Sequence, residues 1–228
     1  HCLGKSYDKH GLWHFVANGL PLDFAPATET ETGPELVKRA IDAGAFVTIA
    51  HPEWYCLTMD EAMAVSHAHG VEVYNHTCYV ECDRASGIAV ADYLLNEGKR
   101  ISFTATDDSH FHIDDFGGGW VMVAAEANEP EALVAALKAG QHYSSTGAEI
   151  HSMALEGDIL KVDCSPAVSV AVAGPGESSA FQMGPNLTHA EIDISKIRAR
   201  GAYFRVTVLG NGGVKAWSNP YWFKDLIA

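Results

Sequence analysis

Apolar residues in the first 150 positions fall into two alternating patterns, one with the period of a helix and one continuous. "PELVKRAIDAG" (34–44) has Pro34 near a helix start and Gly44 at its end, and the apolar run "AFVTIA" (45–50) follows. "TMDEAMAVSHAHG" (58–70) opens on the capping box Thr58-x-x-Glu61, stops at Gly70 and leads into "VEVYN" (71–75). "GIAVADYLLNEG" (87–98) is helical by period and precedes "ISFTAT" (101–106). "NEPEALVAALKAG" (128–140) carries a similar box, Asn128-x-x-Glu131, before the extended "HYSST" (142–146). Alternating helices and continuous apolar strands predict an α/β architecture with a parallel sheet covered on both faces, either open or closed into a barrel.

The polar residues that follow each strand change this picture from fold to chemistry. "AFVTIA" runs into His51-Pro52-Glu53, "VEVYN" into His76-Thr77, and "ISFTAT" into Asp107-Asp108-Ser109-His110. Sites in barrels and open α/β sheets form at the C-terminal ends of strands. Three successive strand ends carrying metal-competent side chains therefore predict one site.

From about residue 151 the pattern shortens and alternates. "DILKVDCS" (158–165), "SVAVAG" (169–174), "AEIDIS" (190–195), "AYFRVTVLG" (202–210) and "GVKAWSNPYWF" (213–223) are separated by Gly, Pro and Asn. The expectation is two domains, 1–150 of α/β type and 151–228 a small antiparallel β domain, with 24–33 a polar loop inside the first.

Composition narrows the partners. Hydrophobic residues make up 47% and charged residues 19% of the 228, a globular balance. A formal charge of −14 disfavours a nucleic-acid backbone as partner, since like charges repel. A small phosphorylated substrate stays compatible, because bound cations reverse the sign locally. The five cysteines are odd in number and irregularly spaced, which favours a reducing, cytoplasmic setting over a disulfide framework. Cys78 and Cys82 form a C-x3-C pair, but no second pair accompanies it as a structural zinc site needs. No apolar run approaches the roughly 20 residues of a membrane span, so no membrane partner is expected.

Among candidate donors, Asp108 and His110 sit two residues apart where a strand ends, and His51 leaves its strand immediately before Pro52. Asp107 should point away from Asp108, because successive strand residues face opposite sides. Glu72 and Asn75 flank the same region and can orient ligands or simply pack. His67-Ala68-His69 matches a His-x-His pattern, but the capping box places it on a helix, where positions i and i+2 share no face. His14, in "LWHFVANGL", precedes an apolar run instead of following one. There is no nucleophile elbow, P-loop or dinucleotide fingerprint, and the glycines at 117–119 read as a loop.

The ordered series "HFVANGL", "FVTIAHPEW", "VEVYN", "ATDDSH", "GGWVMV" and "ALKAGQHYSSTGAEI" resembles the polymerase and histidinol phosphatase (PHP) domain family of metal-dependent phosphoesterases. The ending "KVDCSP … YFRVTVLGNGGVKAWSNPYWF" is similar to the β domain that follows this domain in one bacterial branch. The resemblance implies a distorted (β/α)7 barrel, with two or three zinc, manganese or iron ions in the intact protein. It implies His14, His51, Asp108 and His110 as metal ligands, with Asp108, His110 and His51 carrying catalysis and Glu72, Asn75 and Asp107 behind them. The family's site opens with a His-x-His strand that has no counterpart before His14. The resemblance therefore implies an incomplete barrel whose N-terminal part lies outside these residues. The expected activity is hydrolysis of phosphomonoesters or phosphodiesters by metal-activated water. The alternatives are hydrolysis of an amide or another ester, or an inactive truncated domain that serves as a binding or structural module.

Overall fold

The computed structural model describes residues 2–5 and 12–226. Strands β1 (Cys2–Lys5) and β2 (Leu12–Asn18) pair antiparallel. Helix α1 (Gly33–Asp42) then packs Leu36, Val37 and Ala40 inward. It starts at Thr32, whose N–H is accepted by the Glu35 carboxylate at 2.8 Å. Gly33 is required by close approach, since a Cβ there would lie 2.2 Å from the buried ring of Trp13. Strand β3 (Phe46–Ile49) follows, buried throughout as a central strand should be.

Helix α2 (Met59–Ala64) begins with the expected box, Thr58 accepting Glu61 N–H while Glu61 accepts Thr58 N–H at 3.0 Å. It ends sooner than its sequence period suggests. His67 and His69 lie in the turn beyond it, which corrects their assignment to a helix. His69 Nδ1 accepts Val47 N–H at 3.1 Å and its ring stacks on Phe46, while His67 Nε2 contacts Pro34 O at 3.2 Å. These bonds to distant segments use both rings for structure.

Strand β4 (Gly70–Asn75) leads directly into α3 (His76–Cys82), and α4 (Ile88–Asn96) precedes β5 (Ser102–Thr106). The five strands form one sheet in the order β1-β2-β3-β4-β5. The pairs β3–β4 and β4–β5 are parallel, as the alternation of helix and strand predicts. The pair β2–β3 is antiparallel, so the sheet is mixed. Phe46, Val47, Ile49, Val71, Val73 and Phe103 are all at most 1% exposed and form the core under the helices. Burying each such side chain contributes about 1.5–3 kcal/mol.

Strand β6 (Trp120–Val123), helix α5 (Pro130–Lys138) and strand β7 (His142–Ser145) come next. Helix α5 is capped at Glu129 without a side-chain bond, so the Asn128 box expected from the sequence does not form. Strands β8 (Ile150–Glu156), β9 (Ile159–Ala173) and β10 (Ser179–Asp193) make an antiparallel ribbon, and α6 (Ser195–Arg200) leads to β11 (Tyr203–Gly210), β12 (Lys215–Ser218) and β13 (Tyr221–Trp222). Strands β9, β10, β11 and β12 lie with β7 and β6 in the path β10-β9-β11-β12-β7-β6, with β8 on β9 and β13 on β11. Their core is Leu160, Val162, Val170, Val172, Val206, Val208 and Phe223 with its neighbours.

The chain divides into two compact units. One comprises His1–Gly117 and Val123–His142, the other Gly118–Met122 and Tyr143–Ala228. Among the described residues, no helix is long and apolar enough to cross a membrane, which leaves strand-based crossing unaddressed.

Candidate functional site

The antiparallel pairing of β2 with β3 explains how His14 reaches a strand-end cluster although it comes before its apolar run. Phe15 lies opposite Ile49, so His14 falls opposite Ala50, whose N–H donates to His14 O at 3.1 Å. An early residue of β2 thereby sits at the C-terminal end of β3. Trp13 and Phe15 fill the core on one face of the strand, and His14 takes the other. Its ring centroid lies 4.9 Å from that of His51, edge to face.

His51 leaves β3 with φ of 26°, a left-handed conformation uncommon for a residue with a side chain. Two bonds hold it there. Its N–H donates to Glu72 Oε2 at 2.6 Å, and its carbonyl accepts Trp54 N–H at 3.0 Å. Asp108, with φ of 54°, is a second such outlier. Its carboxylate lies 3.8 Å from His51 Nε2, beyond hydrogen-bond length, and accepts Asn75 Nδ2 at 3.2 Å. Strained conformations of this kind persist where surrounding structure fixes them and concentrate at functional sites.

The loop carrying Asp108 and His110 is held by a second carboxylate, Asp115. It is buried and accepts Ser109 Oγ at 2.5 Å, Thr77 Oγ1 at 2.9 Å and His110 N–H at 3.2 Å. The Ser109 bond leads the interactions that lower the Asp115 pKa to about 2. Asp107 turns away, its carboxylate accepting Gly117 N–H at 2.7 Å while its carbonyl accepts Thr77 N–H at 2.9 Å.

His14, His51, Asp108 and His110 line one cavity of about 220 Å³, together with Trp54, Thr77, Cys78 and Glu81. His51 is only 4% exposed, and Trp54, 40% exposed, lies 5.2 Å from its ring. Burial lowers the His14 pKa to about 4, with repulsion from His51 adding to it, and burial also lowers that of His51 despite nearby Asp108. Both imidazoles are therefore neutral at pH 7, the form that binds metals. Burial raises the Cys78 thiol to about 12, so it presents an SH rather than a thiolate.

Behind the cavity, Glu72 is fully enclosed. Besides His51 N–H, its carboxylate accepts Asn75 Nδ2 at 3.0 Å and Thr106 Oγ1 at 2.7 Å. Burial raises its pKa to about 7. His76 bonds Tyr74 through Nδ1 at 2.9 Å, and His112 lies exposed in the loop after Asp108; neither lines the cavity. Cys82 is exposed, with Sγ 3.4 Å from Cys78 O.

Thr77 and Asp115 escape sequence reasoning because their bond spans 38 positions and follows no local spacing. Trp54, in the turn after β3, carries no chemical signature, although "HPEW" places it three residues from His51.

The donors fit a divalent metal in kind, being neutral imidazole nitrogen and carboxylate oxygen facing one cavity. In number they supply only part of a shell. Among the described residues, no three His, Cys, Asp or Glu side chains are gathered closely enough to hold a metal ion.

No protein-family model and no curated protein matches the chain. A crystal structure of a two-domain protein from Bacteroides vulgatus, described as containing a predicted PHP-like metal-dependent phosphoesterase, aligns with a TM-score of 0.47 at 15% identity, over 95% of this chain and 73% of that one. That likeness is too loose to assign a fold or a function.

Proposed function

We propose that this chain contributes to a metal-dependent phosphoester hydrolase of the PHP-like kind, with its reaction centre at the cavity between β2, β3 and β5. The observation that carries this reading is the meeting of His14, His51, Asp108 and His110 from three separate segments at one cavity. His14, His51, Asp108 and His110 would supply part of the metal's shell. When bound, such a cation lowers the pKa of water toward about 7 and neutralises charge on a phosphoryl group.

The chain's own residues prepare the site. The two histidines stay neutral through burial, the protonation state in which imidazole binds metals. Asp108 holds its carboxylate toward the cavity through Asn75. The Trp54 ring lies against both histidines, its centroid 5.4 Å from that of His14 and 5.2 Å from that of His51.

Parallel assays on aryl phosphates, aryl esters and anilides with added Zn²⁺, Mn²⁺ or Fe²⁺ test this reading. Turnover of the phosphate alone, lost in Asp108→Ala, supports it. Turnover confined to the ester or anilide would redirect the reading to another bond.

A further inference from the structure

We propose that Glu72 is a positioning residue whose carboxylate, with Asn75, sets the placement of both His51 and Asp108; this rests on the cavity being the reaction centre. The starting observation is a defect in the sheet. Side chains three apart on a regular strand face opposite sides, so Glu72 and Asn75 should not meet. They do meet, at 3.0 Å, because the β4–β5 register shifts between Glu72 and Tyr74. The added residue is a bulge, and bulges re-aim side chains near sites.

The surrounding backbone holds this bulge. Segment 85–87 runs along its free edge, with Asn75 N–H donating to Ala85 O at 3.0 Å and Gly87 N–H to Val73 O at 3.3 Å. Gly87 comes so close that a Cβ would lie 2.0 Å from Glu72 O.

The bulge makes a connected set of bonds possible. One oxygen of Glu72 takes the His51 N–H and Asn75 Nδ2, and the other takes Thr106 Oγ1. Asn75 uses its remaining capacity on Asp108 Oδ2 and on Cys78 N–H, which its Oδ1 accepts at 3.0 Å while capping α3. This pattern fixes the amide orientation, since a flipped Asn75 would set its NH₂ against an N–H. Glu72 thus bonds directly to the backbone of one cavity residue and reaches the carboxylate of the other through a single amide. Those two residues hold the uncommon φ values of 26° and 54°.

A carboxylate that merely fills space could be exchanged for an apolar side chain of similar size without moving the cavity. Glu72→Gln can present its amide oxygen to His51 N–H and Asn75 Nδ2 and its NH₂ to Thr106 Oγ1, so the discriminating variant is Glu72→Met, which keeps the volume and accepts none of these donors. The test compares wild type, Glu72→Met and Asn75→Ala in crystal structures and in titration with Mn²⁺ and Zn²⁺, with thermal melts to confirm folding. The expected result is a His51–Asp108 distance that opens beyond 3.8 Å in Glu72→Met. Metal affinity should fall about 10–100-fold, and Asn75→Ala should displace Asp108 more than His51. An unchanged cavity in folded Glu72→Met overturns the proposal. If wild type binds no metal but the cavity still rearranges, the positioning role stands and the metal reading fails.

Discussion

Thr77 Oγ1 lies within hydrogen-bonding distance of both Asp108 O, at 3.0 Å, and the buried Asp115 carboxylate, at 2.9 Å. Its single proton serves one acceptor at a time, so the hydroxyl couples the start of the 108–115 loop to its end. The loop is consequently set both by its own Ser109–Asp115 and His110–Asp115 bonds and from α3 through Thr77. In Asp115→Ala, Ser109 Oγ, Thr77 Oγ1 and His110 N–H lose their shared acceptor. Proteolysis should cut preferentially within 108–117, and metal affinity at the cavity should fall about 10-fold or more. Limited digestion with mass spectrometry reads the first effect. Thr77→Val should give a weaker version of both.

Acid should loosen the same loop. The folded Asp115 carboxylate titrates near 2, below the ordinary carboxylate range near 3.9, because it accepts three hydrogen bonds. Its contribution is present above about pH 4 and is lost as the pH falls toward 2. Hydrogen exchange of the His110 amide across this window should show protection disappearing, and Asp115→Asn should remove the pH dependence.

A separate dependence comes from His142. Burial lowers its pKa to about 4, and Nε2 sits 3.2 Å from Phe103 O, with the ring edge-on to Phe46. The unfolded chain takes up this proton below about pH 6.5, whereas the folded chain resists until about 4. Stability is therefore full above pH 6.5 and declines as the pH falls to 4, by up to about 3 kcal/mol from this residue. Urea unfolding at pH 7 and pH 5 should show the decline, and His142→Gln should reduce the slope.

The sequence reading recovers elements whose cause is local. The Thr58 box, the helix ending before Gly44 and the buried run at 45–50 depend on near neighbours, and each forms within a few residues of its expected place. Elements set by distant partners are less legible. Strand β10 runs through Gly184 and Pro185 because it pairs on one side only, with register shifts between Met183 and His189 absorbing the disruption. Helix α3 starts from Asn75, read in the sequence as a strand end beside the site. In the folded chain the same side chain also caps a helix. The place of His14 at the site is not legible from its position before an apolar run, because the antiparallel direction of β2 is not written in its own pattern.

Gly87 gives a test of the bulge that leaves every polar group in place. A methyl group 2.0 Å from Glu72 O must push segment 85–87 and strand β4 apart. Gly87→Ala should cost about 1–3 kcal/mol in chemical unfolding and weaken metal binding in the same variant. Gly98→Ala, where no atom lies within 4 Å of the new Cβ but φ is +76°, should cost about 1 kcal/mol and leave metal binding unchanged.

The most direct measurement is the metal content of the chain after incubation with Zn²⁺, Mn²⁺ or Fe²⁺ and removal of excess, beside His51→Ala and Asp108→Ala. The account predicts about half an equivalent or more of one metal in wild type, and a several-fold loss in both folded variants. Equal metal content in all three proteins, or none in wild type, would contradict it.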